Sequence, residues 1–530
     1  MSLAYVKLEV GGIQAFIFQT GKLKEMIGGS EMINALAGSF YAEIRTRLGL
    51  EPVAAPRQGT DWVVEIQNNA GTLVLVLPSA DVARTFLREF SAEALKRFPG
   101  LPLYGAQGPM EWTRDSQKEA RTTVDQFIAR QRATRPVAQG MPMLPVVQSA
   151  RLDGLPAVGR DKDERISLPS LARRDPILLV QARERLRTCA GTNLDGVSLE
   201  WKENLEEMLG GEKQSVALIH MDGNDLGKCF AKELEAIEND GPEQGISRMR
   251  KLSTTIQEAN EAAFGEALVG ILMHETRDKE TPERLVVPLR PLVMGGDDIT
   301  VIARADVALA FVQLFVRTFE AVTREKGSPL SLGVGMVVMP VSYPFAKAFT
   351  LVEALLESAK HATLDLSPRP SSLDYLVLTG DVEMDLGALR RRTYTSLDGG
   401  MLTTKPLILE GGALGQFLRD GRDVLNLLPR SATRPAMNSC RLGVDLSRRD
   451  WNKLRENIHR GLGGRHGQKC MTLTRFEEIF PDGFFTKDGG QPRTALGDYL
   501  ELPRLLPEDT AARRDMLDYL LNRTGEEPHA

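Results

Sequence analysis

A chain of 530 residues, 42% hydrophobic and 26% charged, has the length for two to four domains and the composition of an ordinary globular protein. Its formal net charge of −5 and pI near 5.9 supply no global attraction for nucleic acid, which leaves only local basic patches for such contacts. Cys189, Cys229, Cys440 and Cys470 are too scattered for a disulfide framework or a zinc cluster, and no apolar run has membrane-spanning length, so a cytoplasmic enzyme is expected.

Met1–Gly11 reads as a strand rather than a signal peptide. Downstream, Ala80-Asp81-Val82-Ala83 recurs as Ala305-Asp306-Val307-Ala308, an offset of 225 (305 minus 80). Without gaps this offset sets Ala70-Gly71-Thr72-Leu73 against Gly295-Gly296-Asp297-Asp298. Val74–Leu77 then falls on Ile299–Ile302, and a helix Asp81–Leu95 on Asp306–Phe319. The first copy lacks both carboxylates, so residues 1–110 are expected to be a non-catalytic unit packed against a working one. Glu111–Arg135 predicts a charged helix, Pro136–Arg174 a Pro/Gly/Arg-rich connector, and Asp175–Leu209 a helical stretch.

The second copy carries the chemistry. An apolar strand from Ser215 runs out into Asp222, and Gly223-Asn224-Asp225 turns into a helix expected over Leu226–Ile237. Backbone N–H groups at such a helix start suit phosphate oxygens. Val286–Met294 and Ile299–Ala303 flank Gly295-Gly296-Asp297-Asp298, which reads as a β-hairpin with two carboxylates at its tip. Glycine admits close approach of a ligand, and carboxylates on a rigid turn hold a divalent cation through oxygen. A strand-end Asp222 with a hairpin Asp297 is what two-metal nucleotidyl transfer requires. Ser331–Met339 predicts another strand, and Phe345–His361 a helix with Leu351, Leu355 and Ala359 on a buried face. Lys360 near its end reads as a point charge for a triphosphate or as a helix-end cation. Beyond Asp381 mixed helices and loops are expected. Arg390-Arg391-Arg392 reads as a solvated charge run and Arg460–Lys469 as a flexible basic loop.

Asp222-Gly223-Asn224-Asp225-Leu226-Gly227, Gly295-Gly296-Asp297-Asp298, Ser331-Leu332-Gly333-Val334-Gly335 and Ala359-Lys360 together resemble the large polymerase-like subunit of type III CRISPR effector complexes, a palm-domain family related to GGDEF diguanylate cyclases. Gly12-Ile13-Gln14-Ala15-Phe16-Ile17-Phe18, Leu23-Lys24-Glu25 and Gly28-Gly29-Ser30 are similar to that family's opening, and Leu402–Val424 to its helical C-terminal part. The resemblance implies an α+β fold of two ferredoxin-like, nucleotidyl cyclase-type palms. A degenerate palm (1–110), a helical or irregular linker (111–210), a catalytic GGDD palm (211–385) and a mostly helical C-terminal domain (386–530) would follow one another. It implies ATP as substrate, with the triphosphate against Gly223, Asn224, Asp225, Gly295, Gly296 and Lys360. Asp222, Asp297 and Asp298 would hold Mg²⁺ or Mn²⁺, and a cyclic or linear oligoadenylate would be the product. CrRNA or target RNA and other type III subunits are the implied partners, and a homodimer through the palms is left open.

Two departures from the family pattern stand out. None of the six histidines is followed by aspartate, so the adjacent His-Asp pair of an HD nuclease is lacking and a short, HD-less form is expected. Pro145–Ala157 holds no cysteine where relatives bind zinc, so no zinc is expected and the linker should be held by packing alone. The alternatives are an RNA-regulated scaffold subunit and a diguanylate-cyclase-like enzyme using GTP. Asp-Asp at the turn tip, in place of Asp-Glu or Glu-Glu, argues against the latter.

Overall fold

The computed structural model describes residues 3–69, 71–134, 147–190, 198–210, 215–229, 242–276, 284–296, 298–378, 380, 384–410, 412–460, 471–486 and 490–506. The expected basic loop at Arg460–Lys469 lies, beyond Arg460, outside the described residues, as do most of the helix expected over Leu226–Ile237 and one hairpin carboxylate, Asp297.

Fifteen strands are described. They are β1 (Leu3–Val10), β2 (Glu51–Pro52), β3 (Trp62–Asn69), β4 (Thr72–Leu77), β5 (Leu103–Met110), β6 (Ala157–Asp161), β7 (Glu164–Ser167), β8 (Ser198–Glu200) and β9 (Ser215–Gly223). Then follow β10 (Arg284–Val286), β11 (Leu289–Gly295), β12 (Asp298–Arg304), β13 (Leu332–Pro340), β14 (Ser372–Val377) and β15 (Leu407–Ile408). One sheet has the order β2-β3-β4-β1-β5, and the other β11-β12-β9-β13-β14-β15. The cores of the two orders are the same: a hairpin, then the opening strand, then the strand after the second helix. Both halves run β-α-β-β-α-β with antiparallel neighbours, so each is a ferredoxin-like palm within an α+β chain.

Alternation along β9 shows how the second sheet is covered. Ala217, Ile219 and Met221 pack with helices Pro242–Thr276 and Ala305–Glu325, in a core that continues into the C-terminal helices. Val216 and Leu218 point the other way and share a core with helix Phe345–Ala362 and with Met26, Ile27 and Ile33 of the first palm's helix Leu23–Ala35. Phe18 stacks on Phe345 and Phe349, with ring centroids 6.4 and 4.9 Å apart. The exchange is reciprocal, because Ile246 of the second palm's helix joins the core beneath Trp62, Val64 and Val76, and Arg250 donates to the Glu65 carbonyl.

Several expectations change. The repeat is real in topology but slips by one residue at the turn: Asn69 pairs with Thr72 and Gly295 with Asp298. Thr72, and not Leu73, therefore stands where Asp298 does. The cause is local: Pro78 and Ser79 separate β4 from its helix, whereas β12 runs straight into the helix at Ala305. The Val286–Met294 strand is two strands, and β10 pairs in parallel with β8, which interrupts the expected Asp175–Leu209 helix. The connector contains a β6–β7 hairpin and helix Leu168–Arg173.

Nor does packing alone hold the linker. Arg174 donates from Nε to the fully buried Glu25 at 2.8 Å and pairs with Asp161 at 2.7 Å and Glu164 at 2.9 Å, while Ser170 Oγ donates to Glu25 at 2.5 Å. This network keeps the Arg174 guanidinium charged against its desolvation. Arg390 is likewise no solvated charge; it donates to Ser358 at 2.8 Å and pairs with the buried Asp374.

Candidate active site

The site begins with strand register. Ile299 lies opposite Met221 and Thr300 opposite His220, so Asp222 and Asp298 stand one step further on at the same end and on the same face of the sheet. That face is the one covered by helix Phe345–Ala362. β13 lies on the other side of β9, with Gly333 opposite Asp222 and Gly335 opposite His220. Both glycines are required by close approach. A Cβ at Gly335 would sit 2.3 Å from the Val352 carbonyl oxygen, and one at Gly333 would sit 2.6 Å from Lys360 Cγ. The gap at Gly333 lets the Lys360 stem pass, so that Nζ pairs with Asp222 and donates to the Gly223 carbonyl at 3.3 Å.

Gly296 takes φ +62° at the hairpin tip, and its carbonyl accepts a 2.7 Å hydrogen bond from Nδ2 of Asn260, a buried residue of helix Pro242–Thr276. On the strand after it, Asp298 is pushed up to about 6, first by burial and then by the charge of Asp222, with Lys360 and a hydrogen bond from Gln14 opposing. His220 is held below the usual imidazole range by burial; its Nδ1 lies 2.9 Å from Thr300 Oγ1. Glu353 on the covering helix is raised mainly by burial, with His220 opposing and Asp298 adding. Sequence reasoning missed Asn260, Gln14, Glu353 and His220.

The Asp-Gly-Asn-Asp turn departs from its expected role. The Asn224 N–H donates to the Ser331 carbonyl at 2.8 Å and Nδ2 donates to Ser331 Oγ at 2.9 Å, so this buried residue pins the turn to β13 instead of offering an amide to phosphate. Asp225, at φ +55°, pairs with Lys228 at 2.8 Å and Arg369 at 3.0 Å, which hold its carboxyl below the usual range. Arg369 also donates to the Lys360 carbonyl at 2.5 Å. Lys228, Arg369 and Lys360 thus gather at this turn, paired with Asp225 and Asp222.

The first palm shows the same layout with different chemistry. Glu9 pairs with Thr72 across the sheet and so holds the place of Asp222. It is bound by Lys7 at 2.9 Å and by Arg132, which comes from the helix after β5 as Lys360 comes from the helix after β13.

Among the described residues no group of three or more His, Cys, Asp and Glu side chains is assembled to hold a metal. Asp222 and Asp298 are two, and Asp297 would be the third. A buried carboxylate that its neighbour's charge makes costlier to ionise, beside a second carboxylate paired with a lysine, is a donor set that fits a hard divalent cation. Among the described residues no helix is long and apolar enough to cross a membrane.

A ferredoxin-like sheet with acidic residues at the end of its first strand and on its hairpin defines a palm. The family model of the second palm domain of Cas10/Cmr2 matches residues 215–365. Over that palm the chain is similar to the polymerase-like large subunits of type III CRISPR systems. Solved structures similar to it include a Csm1–Csm4 cassette in complex with one ATP (16% identity, 98% of this chain and 70% of that one, TM-score 0.49) and the cassette in complex with cA4 (15%, 98% and 69%, 0.48). Csm1 of T. onnurineus is a third (17% identity, 80% and 61%, TM-score 0.43). No curated protein matches.

Proposed function

We propose that the second palm joins ATP into linear or cyclic oligoadenylate in CRISPR-type antiviral defence. The observation that supports this reading is the placement of Asp222 and Asp298 on one face, with Asp298 raised to about 6 and Lys360 pairing with Asp222. Asp222 and Asp298, with Asp297, would hold Mg²⁺ or Mn²⁺; such ions activate an attacking hydroxyl and neutralise charge on a departing pyrophosphate. Lys360, Arg369 and Lys228 would meet the polyphosphate, and the Gly295-Gly296 turn, fixed by Asn260, would let it approach the backbone. Thr72 in the place of Asp298, and Glu9 tied up by Lys7 and Arg132, support a non-catalytic first palm over 1–110. Residues 111–210 would then be the linker, 211–385 the working palm and 386–530 the helical remainder. Guide or target RNA and other type III subunits are its proposed partners.

Incubation of the full chain with each NTP and Mn²⁺, followed by mass spectrometry, tests this. Oligoadenylates and pyrophosphate from ATP are expected, alone or after adding target RNA and partner subunits. A cyclic diguanylate from GTP, or no product under any of these conditions, would overturn it.

A further inference from the structure

The segment after β1 belongs to the first palm, yet it ends in the second palm's site. Gly12, at φ +60°, turns the chain into the short helix Ile13–Ile17, whose Phe16 and Ile17 are buried. The Arg173 guanidinium lies 4.1 Å from the centroid of the Phe16 ring, and Phe18 stacks on the helix that carries Lys360. Between these anchors Gln14 has little freedom, and its Nε2 donates to Asp298 Oδ2 at 3.1 Å. Nitrogen and not oxygen must face the carboxylate, since an amide oxygen there would meet another acceptor.

We propose that Gln14 is a positioning residue, supplied by the first palm, that fixes the rotamer in which Asp298 is offered to a divalent cation. The inference rests on the metal site proposed above and deepens it. Asp298 is repelled by Asp222, and Lys360 pairs with Asp222 and not with Asp298, so without a donor of its own its carboxyl would swing away. A lysine or arginine in the place of Gln14 would hold it too, but would neutralise it and compete with the cation. A neutral amide anchors Oδ2, leaves Oδ1 open and keeps the charge. The two palms are thus coupled at the site itself: displacement of the Gly12–Phe18 segment would release Asp298.

The test is Mn²⁺ binding to the full nucleotide-free chain, read by electron paramagnetic resonance, alongside Tm. Gln14→Leu keeps the volume and removes the donor; affinity should fall about tenfold at unchanged Tm. Gln14→Lys should keep or raise Tm while lowering affinity further than leucine does, a divergence that a merely structural role would not produce. Wild-type affinity in Gln14→Leu, with Asp298→Asn clearly weakened, would overturn this inference and leave the metal site standing. Equal Mn²⁺ affinity in the wild type and Asp298→Asn would overturn both.

Discussion

Asp298 carries a pH signature that follows from its surroundings. Its carboxyl titrates near 6 in the folded chain, against about 3.9 in an unfolded one. Between those values the folded state binds more protons, so this group makes stability fall as pH rises from about 4 to about 6. Asp298→Asn should remove that slope, leaving a variant at least as stable as the wild type at pH 7.5 by urea denaturation. Its turnover should drop roughly a hundredfold or more, as should that of Asp222→Asn. Lys360→Ala should raise KM for ATP about tenfold, and Lys360→Arg should recover part of it, because a planar fork cannot occupy the channel over Gly333 as an ammonium stem does. An unchanged KM in the alanine variant would leave Lys360 as the partner of Asp222 only. Asp222, Asp298 and Lys360 were legible because each belongs to a local motif. Gln14 and Arg369 were not: their partners lie 284 and 144 positions away, and only the fold brings them together.

At the scale of elements, periodicity sufficed where burial is one-sided. The Phe345–Ala362 helix and the β13 strand fall within a residue of expectation, since apolar positions at helical or continuous spacing leave little choice. The β6–β7 hairpin was not legible, because charge dominates it: Arg160, Asp161, Lys162, Asp163 and Glu164 give no alternation to read. The one-residue slip at the first hairpin was equally hidden, being set by strand pairing and not by composition. Gly335→Ala tests how tightly the covering helix is seated. Its methyl would meet the Val352 carbonyl, so the helix must lift, at a cost of about 1–3 kcal/mol in urea unfolding. Because Lys360 rides on that helix, ATP affinity should fall with it.

For the whole molecule, a charge network ties the linker to the first palm where packing alone was expected. Arg174→Met would leave the buried Glu25 and Asp161 without their cation and Glu164 with Lys22 alone, and should destabilise the chain by about 3–5 kcal/mol. Adding Glu25→Gln should restore part of that loss, and a double variant no better than the single one would show that the pair is not coupled.

The reciprocal packing of the two palms bears on how the chain is made. Helix Leu23–Ala35 and Phe18 leave the ribosome early, yet part of their apolar surface is completed only by β9, β11 and helix Phe345–Ala362, all translated much later. During synthesis that surface must wait uncovered, a natural target for holding chaperones. A polypeptide cut between the palms would leave each fragment with half a core open to water. Co-translated halves could still find one another, and catalytic competence would return only with their reunion.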